Sequence, residues 1–311
     1  MRIRAAILVL LFGVSVAEGG PDLRTIALTF DDAPRGDGAL FTGEQRTAAL
    51  IESLARSGVD GAMFFVTTRN AERHGERGVA RLKAYTEAGH SLANHSHSHQ
   101  WLSRTDVDDY IADLDIATDR LAPLDNVEPF YRYPFLDEGR AIEKRDRLRE
   151  ALAERSLRNG YVTVDTYDWY LDSLVKVASD AGVEVDMDKV GELYVDVIVT
   201  STEFYDSLAQ QTLGRSPHHV LLLHENDLAA LFVDDLVKRL RERGFRIIPA
   251  TVAFDDPIAK REPDTLFLGQ GRIAALAHES GRPPAELISP TEDEAYLRRR
   301  FEQEVAALPA P

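Results

Sequence analysis

The stretch Thr25–Pro34, TIALTFDDAP, opens with a short apolar run and stops on two carboxylates and a proline. Ile26 to Phe30 is rich in strand formers, and Asp31, Asp32, Pro34 and Gly36 end it. It therefore predicts a buried strand that runs into a loop. The question it sets is whether the rest of the chain repeats this arrangement, an apolar strand with polar residues only at its carboxyl end.

It does. GEQRTAALIESLARSGV places Ala48, Ile51, Leu54 and Ala55 at helical spacing, and GAMFFVTT is a second strand. GVARLKAYTEAG predicts a helix closed by Gly89, and HSLANHS a short third strand. VDDYIADLDIATDRLAPL predicts a helix with acidic residues on its outer face, and PFYRYPF a strand leading to a loop. Arg140 to Arg158 follows as a charged helix, then GYVTVDTYDW as a strand and two helical stretches over Tyr170 to Leu213. HHVLLLHEND is a strong apolar strand, LAALFVDDLVKRLRERG an amphipathic helix, and FRIIPATVAF a last strand. Strand and helix alternate about seven times without an internal repeat, which predicts a parallel sheet, open or closed into a barrel. After Phe254 the chain turns Pro-rich and charged, with two short helical patterns, and 255–311 is expected to be an appendage packed on the core or extending from it. Its GQGR lacks the third glycine and the preceding strand of a dinucleotide fingerprint.

The polar outliers fall where strands end: Asp31 and Asp32, His95 and His99, Arg132, Asp165 and Asp168, His224. In barrels and open α/β sheets the site lies at the carboxyl ends of the strands. Four of the nine histidines crowd into HSLANHSHSHQ, His90–Gln100. His95 and His99 are four residues apart, a spacing that sets two imidazoles on one face, as a divalent metal requires; a solvated polar turn explains the same spacing. Asp32 completes a two-histidine, one-carboxylate set, whose open position suits a catalytic metal rather than a structural one. Asp31 beside it is placed as a general base, although acidic pairs after strands also serve as turn caps. His90 is expected to pack, His97 to face solvent, His74 and His278 to lie on the surface, and His218 and His219 to be structural.

Composition limits the alternatives. The chain has 311 residues, 44% hydrophobic and 28% charged, an ordinary globular balance with ample length for a core. It has no cysteine, so no disulfide contributes. Its formal charge of −16 repels phosphate backbones and argues against nucleic acid as a partner. Residues 1–17 resemble a secretory signal: Arg2 and Arg4, an apolar run from Ala5 to Val14 too short to span a bilayer, and small residues at Ser15 and Ala17. An uncleaved anchor is the alternative. Cleavage would leave a secreted or periplasmic protein, with no stable membrane insertion and a charge of about −18 once the two arginines are removed.

TFDDAP, NHSHSH, RYPF, DTYDW and LLLHEND occur in that order. Together they resemble the five motifs of the polysaccharide deacetylase, or NodB-homology, family of carbohydrate esterases, over roughly Thr25 to Phe254. The resemblance implies an α/β fold, a distorted (β/α) barrel of about seven parallel strands, NodB-like, with a C-terminal helical appendage. Residues 18–254 would be the catalytic domain and 255–311 the extension. It makes Asp31 the general base, Asp32, His95 and His99 the ligands of a divalent metal, most often Zn2+, and Ser96 a brace for the loop. Arg132 would pair with Asp31, and the Phe135 N–H would hold the oxyanion, with Tyr133 in the same substrate set. Asp165 would hydrogen-bond His224, the general acid, while Trp169 and Leu222 would wall the acetyl pocket. The expected substrate is an acetylated amino-sugar glycan or oligosaccharide. An O-acetyl esterase of acetylxylan type, a small-molecule amidase and a non-catalytic glycan-binding protein are the alternatives. The chain departs from the family at Ala33 and Leu136, where glycine is usual, and the segment Tyr170 to Leu213 is long.

Overall fold

The computed structural model describes residues 24–267 and 269–309; the signal-like segment 1–17 lies outside the described residues. Seven strands are present among them: β1 (Thr25–Ala33), β2 (Met63–Val66), β3 (Ser91–Asn94), β4 (Val127–Tyr131), β5 (Arg158–Asn159), β6 (His218–His224) and β7 (Arg246–Ile247). All pair in parallel in the order β5-β4-β3-β2-β1-β6, with β7 beside the first residues of β1. Val164, just past β5, bridges Leu221 of β6, so one segment touches both ends of the sheet and curls it into a distorted barrel.

Helices cover the outside: α1 (Gly43–Arg56), α2 (Thr68–His74), α3 (Glu76–Glu87), α4 (Val107–Leu121), α5 (Ile142–Glu154), α6 (Asp168–Asp180), α7 (Met187–Leu213), α8 (Asp227–Glu242), α9 (Ala250–Ala253), α10 (Gly271–Glu279) and α11 (Glu294–Glu304). The pattern follows from packing. A parallel strand is buried on both faces, so it reads as an unbroken apolar run, and each helix buries one stripe. Val220, Leu221 and Leu223 of β6 are fully buried, as are Leu228, Val233, Leu236 and Leu240 along α8. Among the described residues, no helix is long and apolar enough to cross a membrane.

Two expected strands are mostly irregular. GYVTVDTYDW forms strand only at its approach, β5, because Thr163 and Val164 both donate to the Val220 carbonyl and break the ladder. Gly160 is required there, since a Cβ would come 2.6 Å from the Phe65 ring. FRIIPATVAF pairs only at Arg246–Ile247; Pro249 then starts α9. The segment after Phe254 packs on the core rather than extending from it. Ile258, Ile273, Leu276, Leu287, Leu297 and Phe301 are buried in the same apolar cluster as the strands.

Candidate active site at the carboxyl ends of the strands

Strand register gathers the site. Asp31 of β1 stands directly beside His224 of β6, and Asn94 of β3 beside Tyr131 of β4, so His95 and Arg132 follow at the same level. Successive strand residues normally face opposite sides. Thr29 and Asp31 keep that rule, and both accept from Arg132 Nη1, at 2.8 and 2.6 Å. Asp32 breaks it: the register shifts between Phe30 and Ala33, and Asp32 adopts φ 68°. Both carboxylates therefore line one cleft.

Among the described residues, seven non-glycine residues have positive φ, and five of them, Asp32, Ser96, His99, Phe135 and Leu136, belong to this end of the barrel. Each such conformation costs about 1–3 kcal/mol, and strain of this kind collects where a site demands it. Backbone hydrogen bonds hold the histidine loop. The His99 N–H donates to Ser96 Oγ at 2.9 Å, the Ser96 N–H to Asn94 Oδ1 at 2.7 Å, and the His97 and Ser98 N–H groups to Asp113 of α4. Ser96 is thus the brace expected of it. Asp113 was expected on the outer face of α4 with the other acids, but it is buried and anchors the loop. His97 turns away to Thr68, and His90 packs against Phe64.

Asp32, His95 and His99 each offer a ligand atom, all within 4.8 Å of one another. His99 Nε2 lies 3.2 Å from His95 Nε2 and 3.2 Å from Asp32 Oδ1, and His95 Nε2 lies 3.8 Å from that oxygen. Donors at ~2.1 Å around a tetrahedral ion are about 3.4 Å apart, so these separations fit one divalent cation. His95 Nδ1–H donates to the Arg132 carbonyl at 2.9 Å, which leaves Nε2 as the free donor atom. Burial pushes the His95 imidazole down to about 4, past the pull of Asp31 and Asp32, so it is neutral as a ligand must be. Burial opposes the charge on Asp32, but His99, His224, His95 and Arg35 hold its carboxyl well below the usual range.

Arg132 is fully buried, stacks over Phe65 at 3.7 Å and donates Nε–H to the Gly160 carbonyl at 2.7 Å. It fixes Asp31 Oδ1 and leaves Oδ2 facing His95, 3.6 Å from Nε2. Opposite, His224 Nδ1–H donates to Asp168 Oδ1 at 2.7 Å, and Asp168 Oδ2 accepts from the His224 N–H and Asn226 Nδ2. Burial works against a charged His224, but Asp168 outweighs it and, with Asp32 and Asp31, raises its pKa.

The partner of His224 is therefore Asp168 and not Asp165. The chain turns after Asp165, whose carboxylate accepts from its own neighbour's N–H, and Asp168 at the start of α6 lies over the end of β6. Asp165 remains in the cleft, where burial and the nearby Glu292 carboxylate push its carboxyl well up. Tyr133 also departs from expectation: it does not line the cleft, because its ring is buried against Tyr131. Phe135, Trp169 and Leu222 do line it. In the 3₁₀ turn at Pro134–Leu136, Leu136 and Asp137 donate back to Tyr133 and Pro134, and among the described residues the Phe135 N–H has no partner.

The cleft holds about 640 Å³. Trp101 stacks on Phe135, centroids 3.9 Å apart and planes within 5°, and Tyr167 and Trp169 line the same cleft. Sequence reading did not single out Trp101; an aromatic two residues beyond the histidine pair, in a loop, was the available signal. It also missed Gln270 and Glu294, which line the cleft from the C-terminal segment, and the buried Glu292 near Asp165. Glu292 accepts from Tyr205 Oη at 2.6 Å, and burial lifts its carboxyl to about 7. The folded chain therefore keeps a proton that the unfolded chain releases near 4.5, and stability falls as pH rises from about 4.5 to 7. Glu292→Gln is expected to shrink the loss of unfolding free energy between about pH 4 and pH 8 by about 1–3 kcal/mol. Urea unfolding at the two pH values measures it, and an unchanged loss would mean that Glu292 ionises freely.

Residues 18–154 match the family model described as polysaccharide deacetylase. That stretch contains Asp31, Asp32, His95, His99 and Arg132; Asp168 and His224 lie beyond it. No curated protein sequence matches the chain. Among solved structures, the peptidoglycan deacetylase PdaC from Bacillus subtilis is 20% identical with a TM-score of 0.50, covering 78% of this chain and 94% of its own. A mutant of BA3943, a CE4 family pseudoenzyme, is 16% identical with a TM-score of 0.52, covering 76% and 69%. A BA3943 mutant with restored enzymatic activity is 19% identical with a TM-score of 0.50, covering 76% and 70%. These are likenesses of fold. Over residues 18–154, which begin the parallel barrel, this chain is similar to the polysaccharide deacetylase family.

Proposed function

We propose that this chain is an exported, metal-dependent hydrolase that removes N-acetyl groups from an amino-sugar glycan. The observation that carries the proposal is the convergence in one cleft of Asp31 held by Arg132, the Asp32–His95–His99 donors, and His224 held by Asp168. Fold alone would not suffice, because the same fold carries a pseudoenzyme.

A divalent ion, zinc in our proposal, bound by Asp32, His95 and His99 would supply Lewis-acid polarisation and a lowered water pKa. The rest falls to side chains and backbone. Asp31 Oδ2 takes the proton of the attacking water while Arg132 keeps Oδ1 fixed. The Phe135 N–H donates to the oxyanion that forms as water adds to the acetyl carbon. His224, kept protonated by Asp168, gives its proton to the leaving nitrogen as the C–N bond breaks, releasing acetate and an amine. Leu222 and Trp169 enclose the methyl group, and Trp101 with Phe135 offers a flat face to a sugar ring.

An O-acetyl ester would fit the same residues. Leu136 lines the cleft at φ 50° and puts a side chain where the related family usually has glycine, which favours a short substrate over a long chain of either kind. Acetate release from chitotetraose and from acetylated xylan separates the two. Release from chitotetraose is expected; release from xylan alone would defeat the amide proposal. Export rests on residues 1–17, and N-terminal sequencing of the protein from the culture medium or periplasm tests it.

A further inference from the structure

From the metal-ligand end of the cleft a second groove of about 330 Å³ opens, sharing Asp32, Arg35 and His99 with it and flanked by Arg69 and Arg73. We infer that Arg35, Arg69 and Arg73 form a subsite for the carboxylate of an acidic sugar, so that the preferred glycan is anionic; this rests on the deacetylase proposal for the adjoining cleft.

Three observations support the subsite. First, the loop carrying Arg35 is fixed while its guanidinium makes no close ion pair among the described residues. The Arg35 N–H donates to Glu225 Oε2 at 2.6 Å, and its carbonyl accepts from Arg46 Nη2 at 2.8 Å and Arg81 Nη1 at 2.7 Å. Glu225 is fully buried and also takes hydrogen bonds from Arg81 and Tyr85. Yet Arg35 Nη1 is buried without a hydrogen-bond partner. Such a donor is costly to leave unmade, and a ligand oxygen would satisfy it.

Second, Arg69 and Arg73 stand one turn apart on α2, and neither is within ion-pair distance of a carboxylate among the described residues. Their neighbour Glu72 pairs with Arg120 instead, at 2.6 Å. Like charges at this spacing destabilise a helix slightly, so local stability does not explain them. The helix is tied to the site, because Asn70 Nδ2 donates to the Asp32 carbonyl at 3.2 Å.

Third, the carboxylates of the site do not call on Arg69 or Arg73. Asp31 has Arg132, and Asp32 has His99 beside it and Arg35 at longer range. In a chain of formal charge −16, a groove lined by three guanidinium groups and one carboxylate is basic. Guanidinium forks match a planar carboxylate in two-point contact.

Calorimetric binding of tetragalacturonate and cellotetraose to the full chain tests the subsite. Neither sugar carries an acetyl group, so turnover does not enter. Tetragalacturonate is expected to bind about tenfold more tightly at ~50 mM salt, with the preference shrinking at ~500 mM. Arg35→Gln, and separately Arg69→Gln with Arg73→Gln, should each cut the preference to about threefold or less. These side chains are half-buried or exposed, so the variants are expected to fold. Equal binding of the two sugars, or a preference that survives both variants, overturns the subsite. An intact preference in a chain that releases no acetate from any substrate would sink the deacetylase proposal and leave the acidic-sugar groove standing.

Discussion

Asp31→Asn is expected to lower acetate release about 10³-fold while the chain still binds its metal, whereas His95→Ala loses both. The contrast follows from where each side chain points. Asp31 is not one of the three converging donors; its Oδ1 belongs to Arg132 and only Oδ2 faces the cleft. Asparagine keeps a carbonyl oxygen for Arg132 but offers no base to the water. It also removes the charge partner of a fully buried guanidinium, so a fall in stability of about 3 kcal/mol is expected alongside. His95 supplies one of two imidazole donors, and its loss leaves Asp32 and His99 alone. Metal content and acetate release on the same folded samples decide the matter. An Asp31→Asn variant within tenfold of the parent rate would remove Asp31 as the base, and metal retained after His95, His99 and Asp32 are all replaced would put the ion elsewhere.

The barrel was legible because parallel strands buried on both faces admit polar residues only at their ends. Asp31, Asp32, His95, Arg132 and His224 stood out in the sequence for that reason, and the structure sets them at one level of the sheet. What was illegible depended on chain direction between the elements. DTYDW contains two carboxylates three residues apart, and nothing in the pattern says which meets His224; the start of α6 at Asp168 decides it. Asp113 looks like its acidic neighbours on α4 until the histidine loop folds onto it. Tyr133 follows Arg132 in an extended segment, so alternation sends it to the core side. Glu292 lies far beyond the last motif, and only tertiary packing of the C-terminal segment brings it near Asp165.

That choice between two carboxylates has a kinetic consequence. Asp168→Asn is expected to lower kcat/KM about 10²–10³-fold near neutral pH and to move the alkaline limb of the pH profile to lower pH. In the proposed reaction His224 must be protonated to release the amine, so its rate contribution falls as pH rises through its pKa. Asp168 is the group that raises that pKa, through a 2.7 Å hydrogen bond to Nδ1. Asparagine withdraws the charge, the imidazolium loses its partner, and burial then drives the pKa down, so the acid form is spent at lower pH. One Asp168 oxygen also accepts from the His224 N–H and from Asn226, and an amide turned to serve those donors presents an N–H to Nδ1. Asp165→Asn makes the opposite forecast: no hydrogen bond joins Asp165 to His224, and its carboxyl is already held up by burial, so the alkaline limb should stay in place. The two profiles, measured as acetate release across the pH range, distinguish the assignments. A limb that shifts in Asp165→Asn and not in Asp168→Asn would return Asp165 to the role and would require the start of α6 to move in the working enzyme.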